Sequence, residues 1–118
     1  RNNRIQIFTE DGEFVDEWPN ITDPTGLLID DQEAAWVISG QLHRVLKYDL
    51  NGELQHSWGA YGGSGGVEGG LSRPHQIDVD QEGSVYVASW FGGWLNKFPP
   101  KPDADPDKLL GRRLVLER

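Results

Sequence analysis

The chain contains no cysteine and no methionine. Without cysteine there are no disulfides, no thiolate zinc fingers and no thiol catalysis. The compartment stays open, because a disulfide-free chain suits cytosol and periplasm alike. Without methionine, the chain is expected to be a processed product, a recombinant segment or a piece of something longer. No apolar run approaches the roughly 18 residues of a membrane span, and Arg1 opens no signal peptide. Basic residues are few, 11 against 19 acidic, for a net charge of −8. That balance argues against a non-specific grip on phosphate backbones, so no nucleic-acid partner is expected. What the chain does have is 15 Gly, 7 Pro and 5 Trp in 118 residues, a length typical of one domain.

Internal repetition organises these residues. Arg4-Ile5-Gln6-Ile7-Phe8 recurs 40 residues later as Arg44-Val45-Leu46-Lys47-Tyr48, and a further 50 later as Trp94-Leu95-Asn96-Lys97-Phe98. Asp11-Gly12-Glu13-Phe14 matches Asn51-Gly52-Glu53-Leu54, and Trp18 matches Trp58, both at 40. Pro24 to Asp30 matches Pro74 to Asp80, and Trp36 to Ser39 matches Tyr86 to Ser89, both at 50. The extra ten residues fall in the Gly-rich stretch Gly59 to Ser72, which replaces the short Pro19 to Asp23.

Each repeat reads as short strands with β-branched and aromatic content and period-2 alternation. The runs are 4–8, 13–18, 26–30, 34–39, 44–49, 54–58, 75–80, 84–89 and 94–98, with Arg113–Glu117 a further candidate. Asp11-Gly12 and Asn51-Gly52 sit between runs and favour type I′ hairpin turns. A helical pattern is weak and confined to Pro106–Leu110. Four antiparallel strands in each 40–50 residues is the signature of a β-propeller blade. The expected fold is therefore all-β. Residues 1–18 end one blade, 24–58 make a complete blade, 59–73 form a Gly-rich rim loop, 74–98 supply most of a third blade, and 99–118 form a tail. That is about two and a half blades, an arc expected to need its missing blades or copies of itself.

The motifs Asn3-Arg4-Ile5-Gln6-Ile7-Phe8 followed by Asp-Gly, and Pro-x-x-Ile-x-Val-Asp followed by Gly-x-Val-Tyr-Val-Ala, resemble NHL repeats over residues 2–98. The resemblance implies a β-propeller, often six-bladed. Gly59 to His75, Ile77 to Ser89, Lys97-Phe98 and the tail Pro99 to Leu110 are most similar to the closing blades of the peptidyl-α-hydroxyglycine α-amidating lyase branch. That relationship implies a zinc-dependent enzyme in which the histidine at the position of His75 is one of three metal ligands. The other ligands and the catalytic tyrosine would lie upstream of Arg1. The family's Met-Pro-His-Asp is here Arg73-Pro74-His75-Gln76, which lacks both the Met and the calcium-associated Asp. Zinc is thus implied for a complete propeller, and none is expected on this chain alone. Bacterial relatives in this group are often exported, so the resemblance points to a secreted or periplasmic setting.

Blade topology places Pro19–Thr25, Gly40–His43, Gly59–His75 and Trp90–Gly93 on one rim, where propellers collect ligands. The candidate ligand-binding residues there are His43, Tyr61, Arg73, Trp90, Phe91 and Trp94, with His75 the candidate metal ligand. Each has a structural alternative. His43 also reads as a solvated loop residue, His75 as a channel-lining residue bonded to water, and Trp90 and Trp94 as packing between blades. His56 belongs to a blade surface, and Trp18 and Trp58 to outer-strand ends. The Gly-rich stretch reads as a flap or a plain connector, not as a phosphate loop, since no Lys-Ser/Thr or helix follows it. The carboxylates Asp30, Asp31, Glu33, Asp78, Asp80 and Glu82 gather at the opposite hairpins and read as solvated turn caps, not a catalytic pair. Two functions from different classes follow. One is a binding scaffold for a peptide or glycan. The other is part of an amidating lyase-like enzyme, inactive as this chain.

Overall fold

The computed structural model describes residues 3–59, 71–89, 95–103, 105–106 and 109–111. They contain nine strands: β1 Ile5–Phe8, β2 Phe14–Trp18, β3 Pro24–Ile29, β4 Ala35–Ser39, β5 Arg44–Tyr48, β6 Leu54–Trp58, β7 Pro74–Val79, β8 Val85–Ser89 and β9 Leu95–Phe98. Expected and observed strand boundaries agree to within two residues. Consecutive strands pair antiparallel into three sheets, ordered β1-β2, β3-β4-β5-β6 and β7-β8-β9. The candidate strand at 113–117 lies outside the described residues. Within the weak helical pattern at 106–110, the Leu109 amide donates to the Pro106 carbonyl at 3.3 Å. No helix among the described residues is long and apolar enough to cross a membrane.

The Asp11-Gly12 and Asn51-Gly52 hairpins differ from the expected type I′ turns, and share one geometry with the hairpins at 30–34 and 80–84. Gly12, Glu33, Gly52 and Gly83 donate their amides to Thr9, Asp30, Asp49 and Asp80. The amides of Thr9, Asp30, Asp49 and Asp80 in turn donate to Glu13, Ala34, Glu53 and Ser84. Only the last loop residue takes positive φ, at 87°, 61°, 83° and 86°. This is a type I turn followed by a left-handed residue. A side-chain oxygen on the first residue selects it. Asp30, Asp49 and Asp80 each accept two amides of their own loop, and Thr9 Oγ1 accepts one. These bonds stabilise the three-residue loop over the two-residue I′ form that the Gly position alone favours.

Strand β4 is buried on both faces, because its sheet lies between the other two. Alternation along a strand then divides its residues between two seams. Ala35 and Val37 join Trp18, Ile21, Leu46 and Tyr48 in the first seam. Trp36 and Ile38 join Leu28, Val45, Leu71, Ile77, Val85, Val87 and Leu110 in the second. Each large apolar side chain fully buried there contributes roughly 1.5–3 kcal/mol, so the better-filled second seam is the stronger joint. The repeat is kept in the aromatic contacts. Trp18 stacks on Tyr48 with centroids 6.0 Å apart, and Trp58 meets Phe98 edge-on at 5.1 Å. Beside the inner edge of β1 lies an apolar groove of about 450 Å³ lined by Ile5, Ile7, Trp18, Leu27, Ile29 and Leu50.

Candidate functional site

The two seams are clasped at one end by the same device. Asn3 and His43 precede the equivalent strands β1 and β5, and both take left-handed backbone, φ 51° and 55°. Asp23 and Arg73 precede Pro24 and Pro74, again with positive φ, 44° and 48°. The Asp23 amide donates to Asn3 Oδ1 at 2.8 Å, and the Arg73 amide donates to His43 Nδ1 at 2.9 Å. Each clasp ties one sheet to the next. Burial pushes the His43 pKa down, and the Arg73 guanidinium pushes it further the same way. His43 is therefore half-buried, with its Nδ1 occupied by the Arg73 amide.

Between the clasps is a polar recess of about 220 Å³ lined by Asn3, Asp23, Gln41 and Arg73. Gly40 makes room for it, since a Cβ at that position would meet Asp23 Oδ2 at 2.9 Å. Ser39 Oγ donates to the Thr22 carbonyl at 2.6 Å and fixes the segment that carries Asp23. Arg44 holds the start of the Gly-rich stretch through Nη1, which donates to the Gly59 carbonyl at 2.8 Å. Among the expected rim residues, the structure brings Arg73 and His43 together. Tyr61, Trp90, Phe91 and Trp94 lie outside the described residues. The sequence reading did not single out Asn3, Asp23 or Gln41. The signal was the 40-residue offset, which pairs Asn3 with His43 just ahead of the matched Arg4 and Arg44.

His75 stands at the same end, exposed, in the bulge that β7 makes between Pro74 and Gln76. Its counterpart Thr25 occupies the matching bulge of β3. There Thr25 Oγ1 donates to the Pro74 carbonyl of the next sheet at 2.7 Å. Gly26 permits that close approach, since a Cβ would meet the His75 carbonyl oxygen at 2.8 Å. Among the described residues no three His, Cys, Asp or Glu side chains converge in a group that could hold a metal ion.

The opposite end holds the acidic hairpins. Asp80 caps its turn as expected, accepting the Glu82 and Ser84 amides, while Asp78 Oδ1 accepts the Val79 amide within β7. Asp30 departs from expectation, because it is fully buried instead of solvated. Its Oδ1 accepts the Gln32 and Ala34 amides, and its Oδ2 accepts Trp36 Nε1 at 2.8 Å and the Gly111 amide at 2.9 Å. In the third sheet Asp80 Oδ2 accepts the Tyr86 hydroxyl at 3.0 Å, the same contact made with a phenol. Lys47 lies over Trp36 and Lys97 over Tyr86, at 5.4 and 5.6 Å. These carboxylates serve the turns.

No protein-family model matches the chain, and no curated protein matches its sequence. Solved structures do match. Virginiamycin B lyase from Staphylococcus aureus superposes with a TM-score of 0.58 at 17% identity, over 86% of this chain and 36% of that one. A streptogramin B lyase structure superposes with a TM-score of 0.50, also at 17% identity, over 86% of this chain and 35% of that one. Both neighbours are β-propeller proteins. The three sheets are propeller blades. The chain spans about a third of the length of each neighbour. At this identity the likeness is one of fold. The recess, the clasps and His75 thus sit on a blade rim, and the acidic hairpins on the other rim.

Proposed function

We propose that this chain is a propeller segment that serves as a binding scaffold, with its ligand held at the rim that carries the recess. One observation carries the reading. Equivalent positions on neighbouring blades present opposite charges, Asp23 and Arg73, to one polar recess flanked by the amides of Asn3 and Gln41. Such a lining suits a small polar group with both donors and acceptors, such as a peptide end or a glycan unit. The backbone at Asn3, Asp23 and Arg73 is left-handed, and side chains held that way by surrounding bonds are pre-set for contact. Peptide and glycan arrays probed with the chain test this. Hits should bind wild type and the opposite-rim variant Glu82→Gln alike, and should weaken at least tenfold in Arg73→Ala. Hits that ignore Arg73→Ala refute the reading.

A second reading rests on His75. Its exposed place at the rim end of β7 fits one ligand of a zinc site completed by other blades, as in an amidating lyase-like enzyme whose isolated segment is inactive. Bound zinc would polarise a substrate hydroxyl there. Further blades, or another copy of the chain, are the proposed cover for the apolar groove beside β1. Sedimentation velocity across a concentration series separates those two covers.

A further inference from the structure

The two rim clasps share a geometry and differ in chemistry. Between the first and second blades the acceptor is the amide oxygen Asn3 Oδ1, which keeps its lone pairs at any ordinary pH. Between the second and third blades it is His43 Nδ1. An imidazole nitrogen accepts only while it is unprotonated. A neutral His43 that accepts at Nδ1 carries its proton on Nε2. A second proton, added at Nδ1, would turn an N–H toward the Arg73 N–H and end the bond.

We propose that the His43 clasp is an acid-operated latch on the rim recess: protonation of His43 releases the Arg73 backbone, while the Asn3 clasp stays closed. The latch bears on the recess because Arg73 is one of its walls. Arg73 is also held at φ 48°, a conformation a non-glycine residue leaves readily once its restraint is gone. The charged groups on the segments meeting there are the Arg73 side chain ahead of β7, Arg44 at the head of β5 and Asp23 ahead of β3, with His75 just beyond Pro74. The Arg44 guanidinium is engaged by the Gly59 carbonyl and Ser57 Oγ. Burial and, after it, the Arg73 guanidinium resist the proton, so the latch holds near neutral pH and opens on the acid side of the ordinary histidine range. The effect on ligand capture rests on the scaffold reading above, whereas the latch itself is read without any ligand.

Amide-resolved NMR of the full chain, titrated from pH 8 to 5, tests it. The Arg73 amide should lose hydrogen-exchange protection and move upfield with the His43 midpoint, and the Asp23 amide should stay fixed over that interval. In His43→Asn, which rebuilds the Asn3 clasp, the Arg73 amide should stay protected throughout. An Arg73 amide that does not follow His43, one that still titrates in His43→Asn, or an Asp23 amide that moves with the same midpoint would each overturn the latch. If the latch titrates and array ligands ignore Arg73→Ala, the scaffold reading fails and the latch stands.

Discussion

The Gly111 amide donates to Asp30 Oδ2 at 2.9 Å, joining residues 81 positions apart in sequence. The same carboxylate serves its own hairpin and Trp36 Nε1, while Leu110 is buried in the second seam. One buried group therefore ties a turn, a core indole and the C-terminal segment together.

Replacing Asp30 with Ala should orphan these donors at once. At about 1–3 kcal/mol for each buried group left unpaired, the loss should reach at least about 3 kcal/mol. Asp80→Ala, in the half-buried equivalent, should cost less. Urea unfolding of the two variants checks the ranking.

Two glycines separate backbone strain from crowding. Gly12 and Gly52 have nearly the same φ, 87° and 83°. A Cβ at Gly12 meets nothing within 4 Å, whereas one at Gly52 would lie 2.5 Å from Trp18 Cδ1. Gly12→Ala should cost about 1–2 kcal/mol, the left-handed penalty alone. Gly52→Ala should cost clearly more and disturb the Trp18 fluorescence. Equal losses would show that Trp18 yields freely.

The repeated tryptophans should not be equivalent energetically. Trp18 is buried against Tyr48, and Trp58 is half-buried against Phe98. Trp18→Ala should fall within the 3–5 kcal/mol typical of a buried aromatic, with Trp58→Ala below it. Thermal melts of both variants decide.

On the acid side, two described groups with shifted pKa, Asp80 and His43, act in the same direction. Burial would raise the pKa of Asp80, yet the Ser84 amide, the Tyr86 hydroxyl, the Glu82 amide and Lys97 together hold it below the ordinary 3.8. A depressed carboxylate lends stability that is complete above 3.8 and is lost as pH falls through its folded value. His43 also has a lowered pKa, from burial and then Arg73, so the unfolded chain binds its proton first. Stability should fall as pH drops below the ordinary 6.5 toward the folded value. His43→Asn should remove the loss near neutrality, and Asp80→Asn the one in strong acid. Melting temperatures across pH 3 to 8 separate the two windows.

Much of this fold was legible in the residues. The offsets of 40 and 50 placed the nine strands, including the strand that the structure buries on both faces. What escaped had physical reasons. Nothing local marks Asp30 as buried, because its fourth partner lies 81 positions away. The hairpins turned on the first loop residue, an Asp or Thr whose side-chain oxygen accepts amides, while the Asp-Gly pair drew attention to the last two. His43 looked like a loop histidine because its partner is a backbone amide, which no residue type announces.

Ligand-induced NMR shift mapping on the full chain tests the rim assignment most directly, using the tightest peptide or glycan found on the arrays. Perturbations should centre on Asn3, Asp23, Gln41 and Arg73, and leave Glu33, Gly52 and Glu82 on the other rim unmoved. Perturbations centred on those opposite hairpins would contradict the assignment.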